Sequence, residues 1–323
     1  MESKKNQNLV QLSDILKAQQ VVKDHIHWTP IITSKTLGNL IKANIYFKAE
    51  VFQKTGSFKP RGALNKLFNL TEGEKKRGVV SFSAGNHAQG LAYAASKLGI
   101  HATVVMPQTA SISKVNATKG YGAEVILHGT GQDLLTKCLE IQQTNGKALV
   151  HPFDDPLIIA GQGTVGLEII EDVPPPDMVV VPVGGGGLIS GIATAIKSKN
   201  PAVKIIGVEP TGASAMYHSL QQNSVVHLEK IDTIADGLAA PFAGNYTLAH
   251  VQKYVDELVL VSDEEIIEAL YLILERCKIL TEPAGVAGFA ALLFKKVTVP
   301  KGGHVVCVLS GGNIDRSLLQ RIC

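Results

Sequence analysis

Four consecutive glycines, Gly184, Gly185, Gly186 and Gly187, follow the apolar run Met178-Val179-Val180-Val181-Pro182-Val183 and precede a helical segment starting at Leu188. Residues without side chains let successive backbone N–H groups approach an anion, and a helix start adds partial positive charge, so this order suits a phosphate. A tight packing turn would use the same glycines. The spacing does not match the dinucleotide fingerprint, and the next strand, 204–208, ends at Glu209 beside Pro210 without one. Lys59 stands between the flexible Thr55-Gly56-Ser57 segment and a helix beginning at Pro60, a first-turn position where proline costs little. A lysine in such a loop is ordinarily solvated. Held at a helix start and partly desolvated, its pKa would fall toward that of a nucleophile.

Ser83-Ala84-Gly85-Asn86-His87 joins another strand end to a helix start, the crevice position where open α/β sheets take ligands. Its N–H groups suit a carboxylate, and Asn86 can donate to an oxygen of a bound ring. His87 has a side chain able to titrate near neutrality, although a packed, hydrogen-bonded histidine is the commoner use. Ser310-Gly311-Gly312-Asn313 follows the last apolar run and supplies a fourth such loop, in which Asn313 would also serve as an ordinary helix cap.

Strands and helices must bring these loops together. From Gly78 onward, apolar runs at 79–82, 102–106, 123–127 and 148–151 are separated by segments long enough for crossover helices, with helices at 86–98 and 111–119, the pattern of a parallel sheet. A long helix at 157–171 ends at Pro174-Pro175-Pro176. A second sheet then follows at 178–183, 204–208, 257–261 and 304–309, with helices at 188–197, 263–277 and 284–294. The first set is complete, so the N-terminal helix 12–23 and strand 45–50 are placed with the second sheet. The expected division is a large domain of 1–76 and 152–323 and a small domain of 77–151.

The whole chain has 323 residues, more than one core usually holds, and its 45% apolar and 18% charged content implies order throughout. A net charge of +3, with no basic block longer than Lys75-Lys76-Arg77, gives no footprint for nucleic acid. A small molecule is the expected partner. Cys138, Cys277, Cys307 and Cys323 are scattered and read as reduced thiols. The polar start, 1–8, and the lack of any apolar stretch of membrane-spanning length lead to the expectation of a cytoplasmic protein.

The order and context of Thr29-Pro30, Lys54-Thr55-Gly56-Ser57-Phe58-Lys59, Ser83-Ala84-Gly85-Asn86-His87-Ala88-Gln89-Gly90, Ile159-Ala160-Gly161-Gln162-Gly163-Thr164, the glycine run and Ser310-Gly311-Gly312-Asn313 span nearly the whole chain. In these motifs it resembles the threonine dehydratase and serine racemase family of fold type II pyridoxal-phosphate enzymes. The resemblance implies a tryptophan synthase β-like α/β fold of two open twisted sheets covered by helices, and a homodimer or homotetramer. It implies that Lys59 holds the cofactor as a Schiff base beside Phe58. Asn86 would bond the ring oxygen, Ser310 the pyridine nitrogen, and Gly184 to Gly187 with Leu188 the phosphate. Ser83, Ala84, Gly85, Asn86 and His87 would hold the substrate. Lys59 would then remove the Cα proton of a hydroxy-amino acid, which loses its β-hydroxyl and is hydrolysed to a 2-oxo acid and ammonia. The chain ends just after the last motif, which is the pattern of the short catabolic dehydratases.

Three departures and matches refine this expectation. Racemases of the family carry a serine where this chain has Ala84, and alanine has no proton to return to the second face of Cα, so elimination should dominate. Serine racemase and a 3-hydroxyaspartate dehydratase are the rival enzymes, and a non-catalytic nucleotide-binding protein is the rival of another class. At the family's cation site Glu209 and Ala213 match, but Ala215 replaces an aspartate, which weakens the case for a divalent ion and leaves room for a monovalent one. Lys54, Thr55, Gln89, Tyr121 and Asn313 match positions where some members bind a nucleotide, which implies AMP or ATP as an effector.

Overall fold

The computed structural model describes residues 9–131 and 133–322; the polar start 1–8 and the expected free thiol of Cys323 lie outside them. The strands are β1 (Ile31–Thr33), β2 (Asn44–Ala49), β3 (Val79–Phe82), β4 (Ala102–Met106), β5 (Glu124–Leu127), β6 (Ala148–Leu149), β7 (Met178–Pro182), β8 (Lys204–Pro210), β9 (Glu257–Val261) and β10 (His304–Leu309). They form a six-stranded sheet in the order β1-β2-β10-β7-β8-β9 and a four-stranded sheet in the order β5-β4-β3-β6. Among the described residues, only the β1–β2 pair is antiparallel. β2 belongs to the larger sheet, where the strand at 45–50 was placed, and β1 adds to it at the edge.

The helices are α1 (Leu12–Val22), α2 (Lys35–Ile41), α3 (Lys59–Phe68), α4 (Glu72–Arg77), α5 (Asn86–Leu98), α6 (Ile112–Gly120), α7 (Leu134–Asn145), α8 (Pro156–Asp172), α9 (Gly187–Lys199), α10 (Ala215–Gln222), α11 (Asn245–Tyr254), α12 (Asp263–Cys277), α13 (Pro283–Leu293) and α14 (Arg316–Ile322). Alternation along β7 explains its unbroken apolar run. Val180 and Cys307 point into one core with Leu37, Ile273 and Phe289 of α2, α12 and α13. Val179, Val181 and Val306 point into the other with Val165, Ile192 and Val251 of α8, α9 and α11. The four-stranded sheet is covered in the same way, by α3 and α5 through Leu64, Leu67, Leu91 and Ala92 on one face. On its other face, α7 contributes Leu134 and Cys138 to a cluster with Val80 and Val105.

The structure departs from the expected elements at several places. β6 ends at Leu149 rather than His151: Val150 N still donates to Val80 O at 2.9 Å, but His151 turns into a loop. α3 starts at Lys59 and α9 at Gly187, each one residue early, and α6 starts at Ile112 because Ser111 is its cap, accepting from Lys114 N. β1, α2, α4, α7, α10, α11 and α14 were not anticipated. The consequential geometry is at the carboxyl ends of β2, β10 and β7. Leu309 pairs with Ala49, and Cys307 with Val180, so the three ends lie level. Whatever follows them is gathered along one edge of the sheet.

Candidate active site

Lys59 is carried to that edge by the turn after β2. Ser57 forms an isolated antiparallel bridge with Gly311, and Phe58 N donates to Ser310 O at 3.2 Å, tying the approach to α3 against the end of β10. α5 crosses close by: a Cβ on Gly90 would fall 2.9 Å from the Lys59 Cβ, so only glycine permits this approach. The Lys59 amine donates to the Pro152 carbonyl at 3.0 Å and lies 5.1 Å from the centroid of the Phe58 ring. Burial lowers its pKa to about 8, partly opposed by the Glu282 carboxylate.

The glycine run hangs from β7 beside Ser310 at the end of β10. Gly186 caps α9 with φ +89°, a left-handed conformation that favours glycine. A Cβ on Gly185 would collide with the Phe153 ring, so the loop packs flush against that side chain. Phe153 is held in turn by its own loop. The N–H groups of Phe153 and Asp154 donate to His151 Nδ1 at 3.4 and 2.9 Å, and Asp154 accepts from the N–H groups of Asn245, Tyr246 and Thr247 at the start of α11. Burial pushes the His151 pKa down to about 4, which suits an imidazole whose Nδ1 is an acceptor.

Asn86, at the start of α5, reaches across from the smaller sheet. Its Nδ2 donates to Glu282 Oε1 at 2.5 Å, and its Oδ1 accepts from Asn313 Nδ2 at 2.8 Å. Both ends of the amide are thereby oriented, with one N–H left over. Glu282 is buried, and desolvation with the nearby Asp236 charge raises its pKa to about 7. The His87 ring is buried and hydrogen-bonded. Ser81 gives its one hydrogen to Val150 O at 2.6 Å, so His87 Nε2 is the donor in the 2.9 Å contact with Ser81, and burial holds the ring neutral.

These groups line a cavity of about 710 Å³. Its walls include Lys59, Ser83, Ala84, Gly85, Asn86 and Glu282. A recess of about 40 Å³ shares Lys59, Asn86, Gly185 and Glu282 with it and adds Phe58, Leu188, Ser310 and the other three glycines of the run. The cofactor and substrate residues expected from sequence are thus brought together. Glu282, Lys114 and Asp236, also on the cavity wall, were missed. Lys114 pairs with Asp236 and lies 3.5 Å from Asp315, and these partners hold its pKa up against burial.

The family model for pyridoxal-phosphate-dependent enzymes matches residues 22–311. The chain belongs to that family. It is 50% identical over 315 residues to L-threonine ammonia-lyase of Thermotoga maritima, covering 97% of this chain and 78% of the relative. Maize serine racemase superposes with a TM-score of 0.92 at 37% identity, covering 97% of this chain and 96% of the other. The processed form of threonine deaminase isoform 2 from Solanum lycopersicum superposes with a TM-score of 0.90 at 39% identity, covering 96% and 91%. This pyridoxal-phosphate enzyme has the fold type expected from its sequence motifs.

The recess fits the family's cofactor in its donor set. Among the described residues, the backbone N–H groups of Gly184, Gly185, Gly186 and Gly187 donate to no carbonyl of the chain, which leaves them for phosphate oxygens at the start of α9. The buried Ser310 hydroxyl has only a 3.5 Å contact to Ala284 O, and Asn86 keeps one unused N–H. At the expected cation position the residues lie as follows. The buried Glu209 carboxylate accepts from the N–H groups of Met216 and Tyr217 at 2.9 and 2.8 Å, and desolvation raises its pKa to about 8. Ala213 ends a short 3-10 turn, and Ala215 begins α10 with no ligating side chain. Among the described residues no group of three or more His, Cys, Asp and Glu could hold a metal ion. No helix among them is long and apolar enough to cross a membrane.

Proposed function

We propose that this enzyme is a threonine and serine ammonia-lyase, removing water from the hydroxy-amino acid to give a 2-oxo acid and ammonia. The observation that carries the reading is a buried lysine of lowered pKa that shares one cavity wall with Ala84 and the start of α5. Lys59 would bond the cofactor aldehyde, with the glycine run at the phosphate, Asn86 at the ring oxygen and Ser310 at the ring nitrogen. The bound cofactor supplies an electron sink for the pair left on Cα. The chain supplies position and proton transfer.

With a pKa of about 8, roughly one Lys59 amine in ten is neutral at pH 7, against roughly one in 3,000 for an ordinary lysine. Once the substrate amine releases it, this amine is the base for the Cα proton. The N–H groups of Asn86 and His87 have no acceptor within the described residues and suit the substrate carboxylate at the helix start. The β-hydroxyl leaves as water, and the enamine that departs is hydrolysed. Ala84 supplies no proton to Cα, which supports elimination over racemisation. The likeness to maize serine racemase favours racemase as the second reading.

A substrate panel assayed for 2-oxo acid, with chiral analysis of the remaining amino acid, tests both. Release of 2-oxobutyrate or pyruvate that Lys59→Ala abolishes supports the lyase, whereas D-serine forming as fast as pyruvate refutes it. An adenine nucleotide effector at Lys54, Thr55, Gln89, Tyr121 and Asn313 is part of the same proposal. Asn313 Nδ2 donates to both Thr55 O and Asn86 Oδ1, so a ligand there would act directly on a cavity residue. Saturating AMP and ATP that leave substrate half-saturation unchanged would remove this part. We also propose that 77–151, around the four-stranded sheet, form the small domain and the rest the large one.

A further inference from the structure

Arg61 lies two residues beyond Lys59, in the first turn of α3, and is fully buried. Each of its three guanidinium nitrogens donates to at least one acceptor, with the His27 carbonyl the most distant at 3.5 Å from Nη2. Nε and Nη2 each donate to the Glu50 carboxylate at 2.8 Å. Nη1 and Nη2 donate to Glu168 at 2.6 and 2.9 Å, and Nη1 donates to the Thr164 hydroxyl at 3.1 Å. Glu50 directly follows β2 and Glu168 lies on α8, so the planar fork is gripped from two elements. The carboxylates are themselves anchored. Thr29 donates its hydroxyl to Glu50 at 2.5 Å, and Lys48 on β2 pairs with Glu168 at 2.7 Å.

The backbone around this turn leaves no slack. A Cβ on Gly161 of α8 would fall 2.6 Å from the Arg61 carbonyl oxygen, and Gly62 N donates to the Gln162 side chain at 3.2 Å. A buried ion cluster of this kind stabilises a fold no better than well-packed apolar side chains would, because each charge must first be stripped of water. What it adds is direction: two bidentate contacts fix both the plane and the register of the guanidinium. Lysine, by contrast, has a long flexible stem, so the reach of its amine is set by where its Cα is rooted.

We propose that Arg61, clamped between Glu50 and Glu168, is a positioning residue that roots Lys59 where its amine reaches both the cofactor aldehyde and the substrate Cα hydrogen. This rests on the assignment of Lys59 above. The clamp acts through the first turn of α3, and Glu50, Arg61 and Glu168 line neither the cavity nor the recess.

The test uses the purified full chain with Glu50→Gln, Glu168→Gln and Arg61→Lys. Each glutamine is nearly isosteric but turns an amide donor toward a guanidinium N–H. The cofactor-free protein is mixed with pyridoxal phosphate, and capture is followed by visible absorbance, then fixed with borohydride and mapped by mass spectrometry. The reconstituted protein is assayed for kcat and KM. The expected result is capture at Lys59 slowed about 10- to 100-fold, with kcat reduced alike, as small misplacements of a reacting group produce. KM stays within about twofold and far-ultraviolet circular dichroism is unchanged, a split that loss of fold would not give. Variants that fold and capture the cofactor at the wild-type rate overturn the clamp. Should the charged-site variants not fold, Thr164→Val decides, removing one uncharged acceptor: capture slowed about threefold or more supports the clamp, and an unchanged rate overturns it. Wild-type protein whose borohydride adduct is absent, or maps elsewhere, removes the Lys59 assignment and the clamp with it.

Discussion

Gly186→Ala tests whether the glycine run is a cradle whose shape matters, and its cost can be worked from two contributions. The first is conformational: φ is +89°, and an L-residue in the left-handed region costs about 1–2 kcal/mol. The second is steric. The new Cβ would lie 2.6 Å from Met216 Cε and 2.9 Å from Thr247 Cβ. Met216 can swing its terminal methyl aside, but Thr247 is buried and donates its hydroxyl to Gly185 O at 2.7 Å, so it cannot withdraw without losing that bond. Overpacking of this kind costs about 1–3 kcal/mol, for a total of about 2–5 kcal/mol. Gly99→Ala is the control that isolates the first contribution. Gly99 has φ +64°, and a Cβ there meets nothing within 4 Å, so it should cost only about 1–2 kcal/mol. Urea unfolding of the cofactor-free chains, followed through the single tryptophan, Trp28, measures both. Titration with pyridoxal phosphate then separates stability from binding. Gly186→Ala should unfold at lower urea than Gly99→Ala and bind the cofactor at least about tenfold more weakly, one tenfold step for each 1.4 kcal/mol transferred to the donors. Equal midpoints and equal affinities for the two variants would refute the reasoning.

Three further outcomes are expected. Because burial lowers the Lys59 pKa to about 8, its neutral form gains as pH rises; capture of pyridoxal phosphate should increase about tenfold per unit below that value and level off above it, and a midpoint near an ordinary lysine's would contradict the enclosure of the amine. Glu282→Gln removes a carboxylate that raises the Lys59 pKa, so the same midpoint should move downward; an upward move would show that another group sets it. Ala84→Ser restores a proton donor to the cavity wall, and chiral chromatography should then detect D-serine formed from L-serine alongside pyruvate, while an unchanged enantiomer ratio would show that Ala84 does not decide the outcome.

Much of this was legible in the sequence because burial on both faces leaves a simple trace. β3, β4, β9 and β10 fall at their expected residues, since each is a short β-branched run between turn residues. α7 was missed although Leu134, Leu135, Cys138 and Ile141 have helical spacing behind Asp133, a common capping type, and no capping box announced it; in the fold Asp133 makes no side-chain cap. α4 did carry such an announcement, the capping box of Thr71 and Glu74, and it went unused. β1 is three residues long, too short for any period to show. Around the cavity and its recess, Lys59, Asn86, Ser310 and the glycines were singled out because each sits in a motif at a strand end. Glu282 lacks one. Its only local sign is Pro283 at the first turn of α13, which marks a helix start but says nothing of the Asn86 side chain 196 positions away in sequence. Long-range pairing of that sort exists only once the two sheets are folded.

The level ends of β2, β10 and β7 have a consequence for how this protein can change. Lys59, Ser310 and the glycine run all issue from one rigid edge whose strands are locked in register by a shared double core. Ser83, Ala84 and Gly85 issue from a different sheet, and the apolar wall of Ala239, Ala240, Pro241 and Phe242 from a loop that belongs to neither. Substitutions in those two segments can therefore reshape the cavity while the edge that carries Lys59 stays put. The architecture divides the labour between a fixed bench and replaceable jaws.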